Sequence, residues 1–153
     1  MAVTVETTES EEMVLKYMWL LQHNDDGAPA KTGQLAEHIE VSPSSVTEML
    51  DKLQSKGLAE HIKYQGASLT KEGEGIAVSI LKRHCVMEWF MVQVLEIPEG
   101  QFHDEACEME HVLTDSTAGK LRSLTDQPDT CPSCYDLNQL HCQYLVPGEV
   151  PRR

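Results

Sequence analysis

The chain has 153 residues, 41% of them hydrophobic, with 25 acidic against 12 basic side chains and a formal charge of −13, enough apolar material for one core or two small ones. No apolar run approaches the roughly 18 residues of a spanning helix, and the start MAVTVETTESEE has neither a basic nor an apolar leader segment, so neither export nor membrane insertion is supported and a cytoplasmic location is expected.

In chain order, Ser10 reads as the N-cap of a first helix with Glu11 and Glu12 in its first turn, and Val14, Leu15, Met18, Trp19 and Leu21 give that helix an apolar face. Met13 stands at its start, where core packing is the ordinary role of a methionine. The segment HNDDGAPAK is a loop, and Thr32 caps a short second helix with Leu35, Ala36 and Ile39 inward. Ser42 as N-cap, Pro43 as the first helical residue and Gly57 just past the end frame a third helix with Val46, Leu50 and Leu53 inward. Two strands, LAEHIKY and ASLT, follow on either side of Gln65-Gly66. A helix-turn-helix followed by such a hairpin is a winged helix, expected over residues 1–72.

The third helix opens with Ser42, Ser44, Ser45, Thr47 and Glu48, small or polar side chains suited to a major-groove floor and its phosphates, and Lys31, Lys52, Lys56 and Lys63 are the cations placed to reach phosphates. Ser and Thr are common at any helix start, and a helix-turn-helix also serves as a protein-interaction scaffold. Residues 30–75 hold five Lys against seven Asp or Glu, which opposes phosphate binding. Bound divalent cations that cancel carboxylates, or a halophile's salt that screens them, would reconcile this charge with DNA.

Thr70 caps a long fourth helix whose Ile76, Ile80, Leu81, Met87, Phe90, Met91, Val94 and Leu95 cover more than one face, so it must pack on two sides. After the turn IPEGQF comes a helix from His103 to about Val112, then a helical piece, TDSTAGKLRSL, that ends near Pro128. Residues 73–128 form a helical second domain, and the fold class is mainly α. On the fifth helix His103, Cys107 and His111 recur at i, i+4, i+8, and Glu110 lies three residues after Cys107, so four ligand side chains crowd one stripe. Desolvating such a stripe is costly unless its groups pair or bind an ion. His84 and Glu88, at i, i+4 on the fourth helix, add a second half-site. Carboxylate, imidazole and one thiolate suit Fe2+, Co2+, Ni2+ or Zn2+.

The tail, residues 129–153, carries Cys131-x-x-Cys134, His141 and Cys142, which form half a zinc knuckle or a redox pair. Five cysteines, an odd number without secretory context, favour thiols or metal ligands over a disulfide framework.

The order of a winged helix, Arg83-His84-x-x-x-Glu88, and then His103-Asp-Glu-Ala-Cys107-x-x-Glu110-His111 resembles the diphtheria-toxin-repressor family of metal-dependent transcriptional regulators, and most its iron-responsive branch, from Ser10 to Pro128. The resemblance implies a primary site of Met13, Cys107, Glu110 and His111 and an ancillary site of His84, Glu88 and His103, hence two ions per subunit. Met13 thereby moves from core residue to ligand. Its pairing with Cys107 implies Fe2+, because the manganese branch carries carboxylates at those two positions. Cys85 stands where the family often has an arginine that helps hold an anion, and the chain ends before the SH3-like domain of many iron-responsive members. What the resemblance implies in function is a homodimer that, with metal bound, represses metal-uptake and metal-homeostasis genes from a palindromic operator in double-stranded DNA, and no enzyme. The alternatives are a Mn2+-responsive regulator of the same family and a redox- or zinc-sensing regulator that uses the tail cysteines. A metalloenzyme would need a nucleophile or substrate pocket that the sequence does not display.

Overall fold

A computed structural model describes residues 5–98 and 101–125, divided into two compact units between Val78 and Ser79. The described residues form six helices and one two-stranded sheet, and the first unit is a winged helix. Among them, no helix is long and apolar enough to cross a membrane.

Helix α1 (Glu9–Asn24) is capped by Thr8, not by the expected Ser10. Thr8 Oγ1 accepts from the Glu11 N–H at 3.2 Å while Glu11 Oε2 accepts from the Thr8 N–H at 3.1 Å. That reciprocal box needs a Glu or Gln three residues on, which Thr8 has and Ser10, followed there by Met13, lacks. Val14, Leu15 and Met18 are wholly buried, and Leu20 rather than Leu21 completes the inward face.

Helix α2 (Thr32–Ile39) starts one residue earlier than expected, with Lys31 at the N-cap and Thr32 already helical. Lys31 has no side-chain acceptor to offer, and the Gln34 Oε1 accepts from its N–H at 3.3 Å. Helix α3 (Pro43–Ser55) begins at Ser42 and Pro43 as expected, with Val46, Leu50 and Leu53 fully buried. Gly57 follows at φ +73°, the left-handed conformation that ends helices cheaply only for glycine.

The wing pairs β1 (Ala59–Ile62) with β2 (Gly66–Leu69), antiparallel, with Ala59 opposite Leu69 and Ile62 opposite Gly66. The first strand is shorter than the expected LAEHIKY, and the second keeps four residues but begins one earlier, at Gly66. A third piece of extended chain joins them unforeseen: Ala30 and Ala67 exchange both backbone hydrogen bonds, at 2.8 and 2.9 Å. Gln22 Oε1 also accepts from the Leu69 N–H at 3.0 Å, tying α1 to the wing.

One ion pair joins the start of α1 to the end of α3. Lys56 Nζ lies 2.6 Å from Glu11 Oε2, whose side chain is 5% exposed, and donates also to the Glu6 carbonyl at 2.8 Å. Lys56, expected to reach phosphate, is thus engaged within the unit. Burial raises the Glu11 pKa, but the hydrogen bond from Lys56 and that from the Thr8 backbone outweigh it and hold the carboxyl below its ordinary value. A depressed carboxylate stabilises the fold above its unfolded pKa and loses that contribution as pH falls. Lys56→Met should therefore cost about 1–3 kcal/mol in urea unfolding at neutral pH, by leaving a buried acceptor unmatched, and less in acid; an equal cost at both would refute the pairing.

The second unit holds the later turns of α4 (Lys71–Gln93), α5 (His103–Met109) and α6 (Asp115–Ser123). Met87, Met91, Phe102 and Ala106 form its apolar cluster, flanked by Phe90, Ile97 and Leu121. Val94 and Leu95, expected inward, are 45% and 53% exposed, because α4 stops at Gln93 and the chain turns away, with Glu96 at φ +54°. Helix α5 ends at Met109 rather than near Val112: the N–H groups of Val112 and Leu113 both turn back to the Met109 carbonyl, at 3.2 and 3.1 Å. Thr114 then caps α6, its Oγ1 accepting from the Thr117 N–H at 3.2 Å. Glu110 and His111 consequently sit in a tight turn, still close to helical, since Glu110 keeps φ −58° and ψ −27°.

Candidate metal centre

Six of the seven expected metal ligands lie in the second unit, and the structure draws them together. His84 and Glu88 are one turn apart on α4, both buried, Glu88 completely. Glu110, at the C-cap of α5, is also completely buried. His84 lies between the two carboxylates: its Nδ1 is 2.7 Å from Glu110 Oε2, and its Nε2 contacts Glu88 Oε1. Neither ring nitrogen meets these oxygens at hydrogen-bond angles. His103 Nδ1 is 3.3 Å from Glu88 Oε1, and its ring meets that of His84 edge-on, with centroids 5.1 Å apart. His111, with 3% of its side chain exposed, places Nε2 3.3 Å from Glu110 Oε1.

Cys107 Sγ is 3.6 Å from His103 Nε2, and the ligand atoms of His84, His103 and Cys107 all fall within 4.8 Å of one another. Met13 lies half-buried on α1, in the first unit. Cys131, Cys134, His141 and Cys142 are outside the described residues.

Two buried carboxylates within reach of one imidazole need positive charge, because an uncompensated buried ion is far too costly. Burial opposes a charged His84, but the surrounding Cys107, Glu110 and Glu88 outweigh it and raise its pKa well above the ordinary value. Cys107 and Glu88 push that of His103 up to about 9 against partial burial. These protons occupy the donors that a cation would use. The two His84 nitrogens, which lie against carboxylate oxygens without hydrogen-bond angles, fit a coordinated divalent ion better than a hydrogen-bonded network.

With a pKa of about 9 against an ordinary 6.5, His103 is protonated at neutral pH, so an ion held by it would have to expel that proton and would bind more strongly as pH rises. Calorimetry at neutral pH in buffers of different ionisation enthalpy should record net proton release on metal addition; no release would contradict this protonation.

Residues outside the expected set position the site. Arg83 precedes His84 and donates to the Leu113 carbonyl at 2.8 Å, fastening α4 to the turn between α5 and α6. Phe102, 4% exposed, anchors the start of α5 immediately before His103. An arginine beside a ligand and an aromatic before a ligand helix are the signals that could have identified them.

In the first unit, Ser42 is both cap and hub: its Oγ is 3.0 Å from Ser44 Oγ and 2.8 Å from Ser45 Oγ. Thr47 Oγ1 donates to the Pro43 carbonyl at 3.1 Å, and Glu48 pairs with Lys52 at 3.1 Å on the exposed face of α3. Lys31 and Lys63 are exposed. Lys63 Nζ also lies 5.1 Å from the ring centre of Tyr64, which is 94% exposed at the wing tip and was not singled out from the sequence.

The DNA-binding N-terminal domain of the iron-dependent repressors matches residues 6–67, and their metal-binding and dimerisation domain matches residues 70–135. An HTH-type transcriptional regulator of Methanocaldococcus jannaschii is 34% identical over 106 residues, 69% of this chain and 82% of that protein. The iron-dependent repressor IdeR of Mycobacterium tuberculosis is 25% identical over 127 residues, and the alignment covers 83% of this chain but 54% of that protein. The solved structure of the manganese regulator SloR is 31% identical, with a TM-score of 0.71 over 82% of this chain and 58% of its own. The two matched domains and the 34% identical relative together establish that the chain belongs to the iron-dependent repressor family.

Proposed function

We propose that this protein is a homodimeric, metal-activated, DNA-binding repressor of metal-uptake and metal-homeostasis genes, with Fe2+ as its ion and a palindromic operator in double-stranded DNA. The observation that carries the reading is the pair of completely buried carboxylates, Glu88 and Glu110, that flank His84 in a segment matching a metal-binding and dimerisation domain. For two ions per subunit we propose Met13, Cys107, Glu110 and His111 as one set and His84, Glu88 and His103 as the other. A bound divalent cation supplies the positive charge that these carboxylates otherwise take from protons. The thioether of Met13 and the thiol of Cys107 favour Fe2+ over Mn2+, and Co2+, Ni2+ and Zn2+ suit the same donors.

The chain's own residues carry the effect to DNA. Met13 follows Glu11 by two residues on α1, and Glu11 is bonded to Lys56 at the end of α3. A displacement of Met13 therefore reaches α3 through one ion pair. Ser42, Ser44, Ser45, Thr47 and Glu48 face the groove in this reading, with Lys31, Lys52 and Lys63 on phosphates. The coupling between metal and DNA is expected to fall at about 1–3 kcal/mol. Cys107→Ala and His111→Ala should each abolish metal-dependent operator binding while a folded dimer persists in sedimentation; a variant that still needs metal for tight binding would remove that residue from the site. A Mn2+-responsive regulator is the second reading, favoured by the 31% identity to SloR, and the relative response to the two ions separates them.

A further inference from the structure

We propose that Tyr64, at the tip of the wing with Lys63 beside it, is a DNA-reading residue that seats in the minor groove next to the half-site and favours A·T pairs there. The inference deepens the proposed function and rests on it for the presence of DNA.

Tyr64 stands where local structure favours a smaller residue. The Gln65 N–H donates to the Ile62 carbonyl at 3.0 Å, closing a four-residue turn whose third residue, Tyr64, has φ +65°. Glycine or asparagine takes such a position at little cost, and a bulky side chain there is strained. Packing does not offset the strain, since the residue is 94% exposed. A strained backbone that presents an aromatic ring to solvent fits a residue kept for contact with a partner.

The tip is braced for such contact. His61 on β1 donates its N–H to Gln54 Oε1 at 2.7 Å and places Nδ1 3.3 Å from Asp51 Oδ1, both on α3. On the other strand Ala67 exchanges backbone hydrogen bonds with Ala30. The hairpin is therefore fixed to α3, and little conformational freedom remains to be lost when its tip docks. Tyr64 lies three residues past His61, at most about 10 Å of extended chain, close to the roughly 12 Å width of a major groove. With α3 seated in that groove, a tip at this distance reaches the flanking backbone and the minor groove behind it.

Chemistry decides what the tip reads. Lys63 Nζ lies 5.1 Å from the ring centre, so a cation accompanies the phenol, and a narrow A·T-rich minor groove is the more negative one. There A·T pairs offer only acceptors, adenine N3 and thymine O2, and the Tyr64 hydroxyl supplies a donor. A G·C pair adds the guanine amino group, which crowds the floor and offers a second donor instead. Lys63 meets phosphate while Tyr64 meets the bases.

The test is anaerobic fluorescence anisotropy of the full chain in Fe2+, with duplex DNA from the region upstream of its own gene made either with adenine or with 2,6-diaminopurine. The analogue adds an amino group in the minor groove and leaves the major-groove edge of each pair unchanged. The parent protein is expected to bind the analogue duplex about tenfold more weakly. Tyr64→Ala is expected to lose about tenfold on ordinary DNA, nothing further on the analogue and none of the salt slope, whereas Lys63→Gln lowers that slope by about one. Because the ring is almost wholly exposed, Tyr64→Ala leaves the fold intact, which thermal unfolding verifies. Equal affinity of parent and Tyr64→Ala for ordinary DNA, or equal weakening of both by the analogue, overturns this proposal alone. A parent protein that binds no upstream duplex in Fe2+ overturns the proposed function, and this inference with it.

Discussion

Glu110→Gln is expected to weaken Fe2+ binding by about a hundredfold, close to 3 kcal/mol, and to remove the metal response of operator binding. The substitution preserves shape and removes only charge. Glu110 is completely buried, 2.7 Å from His84 and 3.3 Å from His111, so no water stands ready to replace the lost carboxylate. The protein without metal changes too, and in a direction that can be checked. A histidine whose folded pKa is raised stabilises the fold fully below its unfolded pKa and loses that contribution as pH rises through the folded value. His84 is such a group, raised partly by Glu110, so Glu110→Gln should flatten the fall in stability above neutral pH. Competition with a chromogenic chelator gives the affinity, and urea unfolding across pH gives the second effect. An affinity within about threefold of the parent, with an unchanged pH profile, would remove Glu110 from the centre.

Gly66→Ala is expected to unfold the wing. Gly66 has φ +108°, and a Cβ there would lie 2.1 Å from the Ala30 carbonyl oxygen and 2.8 Å from its carbon. Both are backbone atoms, held by the Ala30–Ala67 bridge, so neither can swing aside as a side chain would. Strain at a positive φ and overpacking each cost about 1–3 kcal/mol, so the sum should reach roughly 3 kcal/mol or more. DNA binding should be lost with or without metal, while Co2+ binding through the second unit persists. A chain with unchanged thermal stability would show that the wing does not close on Ala30.

Much of this was legible in the sequence, through signals of short range. Ser42, Pro43 and Gly57 mark both ends of α3 because capping is local chemistry. The spacing of His103, Cys107, Glu110 and His111 marks the proposed ligand segment because helical periodicity gathers them on one stripe. What periodicity cannot give is which way a side chain turns. Cys107 shares the stripe with both His103 and His111, and only the folded chain shows its sulfur 3.6 Å from the His103 ring nitrogen. Ser10 and Thr8 are both good caps, and the choice falls to Glu11, which also answers Lys56 from a residue 45 positions away. The Ala30–Ala67 bridge joins two alanines with no pattern of their own. Lys56 looked like a phosphate ligand because only tertiary structure reveals the buried carboxylate that occupies it.

The most direct test of the central claim is fluorescence anisotropy under anaerobic conditions, with DNA from the region upstream of the protein's own gene. Molar potassium chloride screens the acidic surface, chelator sets the starting state, and Fe2+ or Mn2+ is then added. Fe2+ should raise affinity by about tenfold or more, roughly 1.4 kcal/mol of coupling, and Mn2+ should do so less well. Unchanged affinity with both ions would contradict that claim, and would leave metal in this protein a structural rather than a regulatory ligand.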